Sequence, residues 1–230
     1  DVEEISKKIL AGGQKFPSPF GTFVAPNVSM HVEFGIGAWS QDDFVRAVRQ
    51  GVSPDGRHYY PAFPYTSYQG MSDQDVVDLW SFWQTLPSSE QKSQAHHLPI
   101  YAKWRRPLGI WKMMFQSAPD PQMQDAELAR GEYLVNTLGH CGECHTARNV
   151  FGARSIKNIL MGAQHPNGKG RIPAIAGATF DWNAADIAGY LKSGFTPDYD
   201  VAGGLMADVI ENTSKLSDQD RMAIANYLKA

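Results

Sequence analysis

The chain contains only two cysteines, and both lie beside a histidine in the sequence HCGECHT at residues 140–146. Cys141 and Cys144 are separated by two residues, and His145 follows directly. Cys-x-x-Cys-His is the attachment sequence of c-type haem, because on a short helix both thiols can reach the vinyl groups of one porphyrin while the adjacent imidazole binds the iron. The motif therefore predicts one covalently bound haem c.

Other uses of a Cys-x-x-Cys pair fit this sequence less well. A structural zinc site would need two more ligands at a second cluster, and the chain has no second cysteine pair. A thioredoxin-like redox site would need a strand before the motif and a βαβ pattern around it, and neither is indicated. A chance dithiol with an incidental histidine is the alternative that stays open.

The haem iron needs a second axial ligand, and a methionine thioether is the ligand typical of electron carriers. Met206 follows Gly203 and Gly204, so we expect it on a loop ahead of the last helix, where it could reach the iron. The alternative is that Met206 fills the core. Met222 falls within the pattern of the last helix, and Met161 lies only 16 residues after His145, too close for an easy return over the opposite haem face.

Three further residues are candidates for supporting the haem. The carbonyl of Pro173 could accept a hydrogen bond from the free N–H of the proximal imidazole and so fix its orientation, although a simple turn proline is the alternative. Arg148 and Asn149, just after the motif, could donate to a haem propionate, or they could cap the end of the short helix.

Composition limits the remaining function classes. The chain has 230 residues with 43% hydrophobic residues, its net charge is −3, and no apolar run approaches the length of a membrane span. This charge gives no global basic field, so nucleic acid is not an expected partner. We also find no basic amphipathic helix pattern that would favour a membrane surface. The sequence predicts a soluble globular protein.

An internal repeat divides the chain into two related halves. Residues 37–55 align without gaps on the sequence from Phe180 onward at an offset of 143, and residues 71–83 align on 216–228 at an offset of 145. The second pair of segments begins with Ser72 or Ser217, followed three residues later by an aspartate, which predicts a capped helix start in each half. The protein is therefore predicted to contain two copies of one small helical unit.

The repeat also predicts where a first haem motif would lie. Subtracting the offset from His145 gives a position at or before residue 2, and residues 1–30 contain no cysteine. Either the matching motif lies upstream of this sequence or the first unit has lost covalent haem, and we expect the former. The predicted boundaries are 1–86 for the first unit, 87–127 for an irregular linker and 128–230 for the second unit. The linker could lie as a strap over both units, or it could be partly ordered with solvated charges.

The sequence resembles the two-domain c-type cytochromes that act as electron-transfer subunits of bacterial periplasmic alcohol, sugar and aldehyde dehydrogenases. The resemblance covers nearly the whole chain. The segments that carry it are PFGTFVAPNVS (19–29), GVSPDGRHYYPAFPYTSY (51–68), LPIYAKWRRPLGIWKMMF (98–115) and RGEYLVNTLGHCGECHTARN (130–149). The departure from the family is at the N-terminus, where its first Cys-x-x-Cys-His is absent.

This resemblance implies an all-α fold, a tandem pair of cytochrome c domains joined by the irregular linker, each normally holding one haem between histidine and methionine. It implies a carrier that passes single electrons from a dehydrogenase partner to a quinone or another cytochrome. Members similar to this chain place a methionine at the position of Met71, so Met71 is the expected axial ligand if a first haem is bound, with His58 as the competitor. Because haem c is attached outside the bacterial inner membrane, a periplasmic location is expected.

Two other haem functions are alternatives to electron transfer. A catalytic dihaem cytochrome of the thiosulfate dehydrogenase or peroxidase type, or a gas sensor, would need an iron site that is open or easily vacated. Met206 closes that site in the predicted arrangement. No phosphate loop, nucleophile elbow or metal-binding helix motif indicates another catalytic activity.

Overall fold

A computed structural model describes residues 10–116, 125–166, 168 and 170–230. The described residues form two compact units. The first contains residues 10–116 together with His165, Pro166 and Gly168, and the second contains residues 125–164 and 170–230. Most of the ordered structure is helical, as predicted. Within the described residues, no helix is both long and apolar enough to cross a bilayer.

The first unit begins with a short hairpin and continues with helices. The elements, in chain order, are β1 (Lys15–Ser18), β2 (Gly21–Val24), α1 (Gln41–Gln50), α2 (Tyr65–Tyr68), α3 (Asp73–Trp83), a 3₁₀ turn (Ile100–Lys103) and α4 (Pro107–Phe115). β1 and β2 pair antiparallel, with Phe16 opposite Phe23. Pro64 is the residue directly before α2, where its missing N–H costs the helix no internal hydrogen bond.

The second unit has its helices at both ends and a small hairpin between them. The elements are α5 (Ala126–Tyr133), a π-helical turn (Leu134–Leu138), α6 (Gly142–His145), a 3₁₀ turn (Ile156–Asn158), β3 (Ala163–Gln164), β4 (Arg171–Ile172), α7 (Ala184–Ser193), α8 (Leu205–Thr213) and α9 (Asp218–Lys229). One apolar core joins them, built from Leu134, Val135, Leu160, Ile187, Leu191, Ile210, Ile224, Ala225 and Leu228.

The helix starts predicted from the repeat are confirmed. Ser72 accepts a hydrogen bond from the backbone N–H of Asp75, and Ser217 accepts one from that of Asp220, both at 3.0 Å. These bonds satisfy N–H groups that have no partner within the helix. Helix α3 of the first unit and helix α9 of the second unit therefore begin with the same side-chain cap.

Gly131 allows the first and last helices of the second unit to cross closely. A Cβ on Gly131 would lie 2.1 Å from the carbonyl oxygen of Ala223 and 2.7 Å from Cβ of Tyr227. Around this crossing, Asn136 donates to the Tyr227 hydroxyl at 2.7 Å and Arg130 pairs with Asp220 at 2.8 Å. The crossing fixes α5, and with it the chain that leads into the cysteine motif.

The described part of the predicted linker, residues 87–116, packs on the first unit. The Tyr60 hydroxyl donates to the carbonyl of Ala102 at 2.8 Å, and Lys112 donates to the carbonyl of Gly51 at 2.8 Å. Lys112 is only 9% exposed. His96 accepts a hydrogen bond from the N–H of Val24 at 3.1 Å, because its ring lies beside the hairpin. We call residues 98–116 the strap.

Candidate haem c site

The cysteine motif is introduced by an irregular end of α5. The π-helical turn places the N–H of Gly139 2.7 Å from the carbonyl of Leu134, and the N–H of Cys141 2.9 Å from that of Val135. His140 has a φ of 38°, which turns the chain into α6. π-helical turns inside helices are frequent at functional sites. Here the turn ends α5 and starts the single helical turn that carries Gly142–His145.

Cys141 and Cys144 do not form a disulfide bond. Cys141 is half-buried and Cys144 is exposed. Burial raises the pKa of the Cys141 thiol to about 11. The pKa of Cys144 is also raised, by partial desolvation and then by the carboxylate of Glu143. Neither thiol therefore has the lowered pKa that is typical of reactive cysteines.

His145 is oriented by the backbone of Pro173. Its Nδ1 lies 2.8 Å from the Pro173 carbonyl oxygen, and because a carbonyl can only accept, Nδ1 must carry the hydrogen. Burial lowers the pKa of His145, which favours the neutral imidazole. In that tautomer Nε2 has a free lone pair, as a metal ligand requires.

Gly162 connects the two partners of this hydrogen bond, and sequence analysis missed it. Its N–H donates to the carbonyl of His145 at 2.8 Å. It has a φ of 83°, and a Cβ there would lie 3.0 Å from the carbonyl carbon of Pro173 and 2.7 Å from the oxygen of Ile172. Only glycine combines this backbone conformation with such a close approach. The sole sequence signal was a glycine after Met161, which does not distinguish this role from an ordinary turn.

Met206 lies in the first turn of α8, so the prediction that it lies on a loop is wrong. The helix starts at Leu205, directly after Gly204, whose φ of 57° turns the chain. The half-buried side chains of Met206 and Cys141 both pack against the same apolar core. This arrangement brings the predicted thioether and one predicted attachment thiol to a single cluster.

The other methionines of this unit differ in their surroundings. Met222 packs against the core from within α9, in agreement with the sequence pattern. Met161 is 41% exposed, and its sulfur packs closely on Gly177: a Cβ placed on Gly177 would lie 2.8 Å from it.

Arg148 and Asn149 stabilise the turn that follows α6. The Asn149 Oδ1 atom accepts from the N–H groups of Phe151 at 2.9 Å and Ala153 at 3.1 Å. Arg148 donates to the carbonyl of Gly152 at 2.8 Å and forms an ion pair with Glu143. Arg148 also donates to the carbonyl of Glu143 within α6 at 3.3 Å, a contact of the helix-capping kind, and donation to a propionate stays a prediction.

The candidate ligands of the first unit lie in different environments. Met71 is buried, with 7% of its surface exposed, just before the cap of α3. Its repeat counterpart at an offset of 145 is Leu216, which packs against the core of the second unit. The Nδ1 of His58, the competing ligand, is buried and has no hydrogen-bond partner among the described residues, and Gly109 packs against the Nε2 side of the ring.

The second unit fits a haem c better than a bound metal ion alone. Within the described residues, no group of three or more His, Cys, Asp and Glu side chains could hold a metal ion. The motif instead provides two thiols at one helical turn and an imidazole whose Nε2 is available as a ligand. The neighbouring core is apolar and includes a thioether. This donor set is the one that c-type haem uses.

Comparison with known proteins gives several relatives over the whole chain, although no family model matches it. The chain is 50% identical to a protein of Cereibacter sphaeroides named diheme cytochrome c-type, over 100% of this chain and 78% of that protein. It is 37% identical to the cytochrome c subunit of the quinone alcohol dehydrogenase of Gluconobacter oxydans, over 96% of this chain and 49% of that subunit. It is also 37% identical to the gluconate 2-dehydrogenase cytochrome c subunit of Pantoea cypripedii, over 96% of this chain and 53% of that subunit. The chain thus spans about half the length of these two dehydrogenase subunits.

Proposed function

Because the chain belongs to the family of diheme c-type cytochromes and dehydrogenase cytochrome subunits, we propose that it carries single electrons through a haem held in its second unit. In this proposal Cys141 and Cys144 attach the haem, His145 is the proximal ligand and Met206 is the distal ligand. The observation that carries it is the packing of Cys141 and Met206 against one apolar core, with the His145 ring fixed by Pro173.

The family membership confirms three predictions from the sequence. The chain is a c-type cytochrome, its cofactor is haem c, and its role is electron transfer. The relatives that are dehydrogenase components are cytochrome subunits, so the chain is a carrier and not itself the catalyst.

The proposed haem-site residues of the second unit have different roles. Haem c supplies a one-electron iron couple when bound. The Pro173 carbonyl increases the electron density on His145 by accepting its N–H, and it prevents the ring from rotating. The apolar core around Met206 excludes water, and a thioether ligand in an apolar setting raises the reduction potential. Arg148 and Asn149 hold the turn after the motif, from which they could also reach a propionate.

The electron donor and acceptor are also part of this proposal. The proposed electron donor is a dehydrogenase subunit, and the proposed acceptor is a quinone or another cytochrome. Several relatives are named as cytochrome subunits of alcohol, gluconate and fructose dehydrogenases, which supports this assignment. The proposed location is the bacterial periplasm, because covalent haem attachment occurs outside the inner membrane.

We further propose that the first unit is a cytochrome c domain with its own haem, and that its attachment motif lies upstream of this sequence. The proposed domain boundaries are 1–86, 87–127 and 128–230, with the described part of the linker packed on the first unit. The repeated helix pair supports this view, and so does Phe82 of α3, which is 58% exposed. The matching residue of α9, Tyr227, lies against Gly131 of α5. An upstream helix would cover Phe82 in the same way. Met71 is the proposed axial ligand of that haem.

Replacing Met206 tests the proposed ligation. We expect the wild-type protein to have low-spin haem that binds carbon monoxide slowly, and Met206→Ala to become high-spin and bind the gas rapidly. Met161→Ala is the matched control, because Met161 lies in the same unit but outside the core cluster. Absorption spectra with and without carbon monoxide distinguish the variants. A Met206→Ala protein with unchanged spectra would refute Met206 as ligand, and fast gas binding by the wild type would favour a catalytic or sensing role.

A further inference from the structure

The second unit has an open cavity at the C-terminal end of α7. Its volume is about 160 Å³, and it is lined by Ser193, Gly194, Val201, Ala202, Ala207 and Ile210. None of the residues assigned to the haem lines it. It borders the proposed haem site, because Ala207 follows Met206 directly and Ile210 belongs to the core against which Met206 packs.

The internal repeat matches this cavity to a site that is filled in the first unit. Ser193, Gly194 and Val201 correspond to Gln50, Gly51 and His58 at the offset of 143. The backbone repeats as well: the N–H of Tyr59 donates to the carbonyl of Gly51 at 2.7 Å, and that of Ala202 to the carbonyl of Gly194 at 2.8 Å. The cavity and the filled site therefore have the same backbone frame.

In the first unit the strap occupies this site with a lysine. Lys112 donates to the carbonyls of Gln50 and Gly51, at the end of α1. Its ammonium group also lies 4.4 Å from the ring centre of Tyr65, whose repeat counterpart, at the offset of 145, is Ile210 of the cavity wall. The strap covers the surrounding surface too, because Arg105 stacks over Tyr60 and Gly109 packs on His58.

The corresponding surface of the second unit is exposed and apolar. Val201 and Leu205 are each 60% exposed, Phe195 is 56% exposed and Val209 is 43% exposed. A cluster of large apolar side chains around a concave site usually marks an interaction surface. The negative end of the α7 dipole also points into this region, which favours a cation.

We propose that this surface docks a partner protein through an apolar helix that inserts a lysine at the end of α7, as the strap does at the end of α1. The repeat identifies the occupant: a segment with the chemistry of α4, whose lysine faces inward. The inserted ammonium would bond to the last carbonyl groups of α7, and the apolar residues beside it would cover Val201 and Phe195. This proposal does not depend on the assignment of the haem ligands.

A synthetic peptide with the sequence of residues 98–116 is a direct probe of this surface. We expect it to bind the full haem-loaded protein and to perturb NMR signals of residues 193–210. A peptide with Lys112→Met should bind at least about tenfold more weakly, because it cannot bond to the helix end. A peptide with Lys103→Met is the matched control and should bind as the original does, because Lys103 is exposed in the strap.

Variants of the protein test whether the peptide binds at this surface or elsewhere on the protein. Val201→Lys puts a cation where the peptide's lysine would enter, so we expect affinity to fall at least about tenfold. Val150→Lys, at a residue of the same unit that is 84% exposed, should leave affinity within about twofold. The proposal is overturned if the peptide does not bind, or if Val201→Lys binds it as tightly as the wild type.

Discussion

Helices α3 and α9 occupy the same position in the repeat, but their outer faces differ. In the second unit Tyr227 of α9 lies against Gly131 and accepts a hydrogen bond from Asn136 at 2.7 Å. The matching residue of α3, Phe82, is 58% exposed. Both helices nevertheless start at the same serine cap. The start of α3 and the start of α9 are thus determined by their own local sequence. Haem attachment depends instead on the segment that packs across this helix, which is α5 in the second unit.

The largest expected effect comes from removing the two thiols of the second unit. Cys141→Ser/Cys144→Ser should lose the covalent haem of that unit completely, because no other cysteine exists in this sequence. Denaturing mass spectrometry and the pyridine haemochrome assay measure the haem per chain. In a full-length protein that has an upstream motif, the variant should retain one haem of two. If the wild-type protein carries one haem and the variant carries none, the two units differ in cofactor and the proposed first haem is wrong.

The helix crossing is the next test of the comparison. Gly131→Ala should destabilise the protein by about 3 kcal/mol, because the new methyl group meets a backbone oxygen and forces α5 away from α9. Gly189→Ala is the matched control: Gly189 lies within α7, and a Cβ there would have no atom within 4 Å. Alanine should stabilise this helix by about 0.5–1 kcal/mol. Urea unfolding compares the stability of the two variants. If Gly131→Ala leaves the free energy of unfolding unchanged, α5 and α9 can move apart without loss of stability.

Sequence reasoning predicted the features that depend on neighbouring residues. The caps at Ser72 and Ser217 follow from short patterns, and so does the family's cysteine motif. Features that depend on contacts between distant segments were missed. Nothing near Gly131 or Gly162 in the sequence shows that another backbone will approach it. Met206 was predicted on a loop because two glycines precede it, but Gly204 only turns the chain before α8 begins.

The strap shows the same limit more clearly. Solvated charges were one of the two alternatives for this segment, but Lys112 is buried. On the opposite side of α4, Met113 is 88% exposed and Ile110 is 63% exposed. A helix that buries its lysine and exposes its apolar residues reverses the usual pattern, so periodicity alone cannot indicate which face is inside. The end of α1, which accepts the lysine, lies more than 60 residues away in the sequence.

Lys112 should make the stability of the first unit depend on alkaline pH, and we expect no such dependence for the second unit. Burial lowers its pKa from 10.5 to about 8. Between these values the unfolded chain binds the proton that the folded chain has lost, so stability rises with pH in this window. We expect the wild type to gain on the order of 2 kcal/mol relative to Lys112→Met between pH 8 and 10.5. Urea unfolding at several pH values measures the difference, and parallel curves for the two proteins would show that Lys112 titrates normally.

The smallest expected effect concerns an ion pair that both units repeat. Arg49 pairs with Asp73 at 2.7 Å, and at the matching positions Lys192 pairs with Asp218 at 3.1 Å. Arg49 is 21% exposed and also donates to the carbonyl of Met71, whereas Lys192 is 60% exposed. Arg49→Met should therefore cost about 1 kcal/mol, mainly through the hydrogen bond to the partly buried carbonyl.

Lys192→Met should have a smaller effect, because water and salt screen an exposed pair. Thermal unfolding at low and high ionic strength tests the contrast. The cost of Arg49→Met should persist at high salt, since it comes mostly from a hydrogen bond to the backbone, while any cost of Lys192→Met should vanish. Equal and equally salt-sensitive losses would show that the two ion pairs are energetically interchangeable, and that the Met71 carbonyl contributes nothing to the difference between the units.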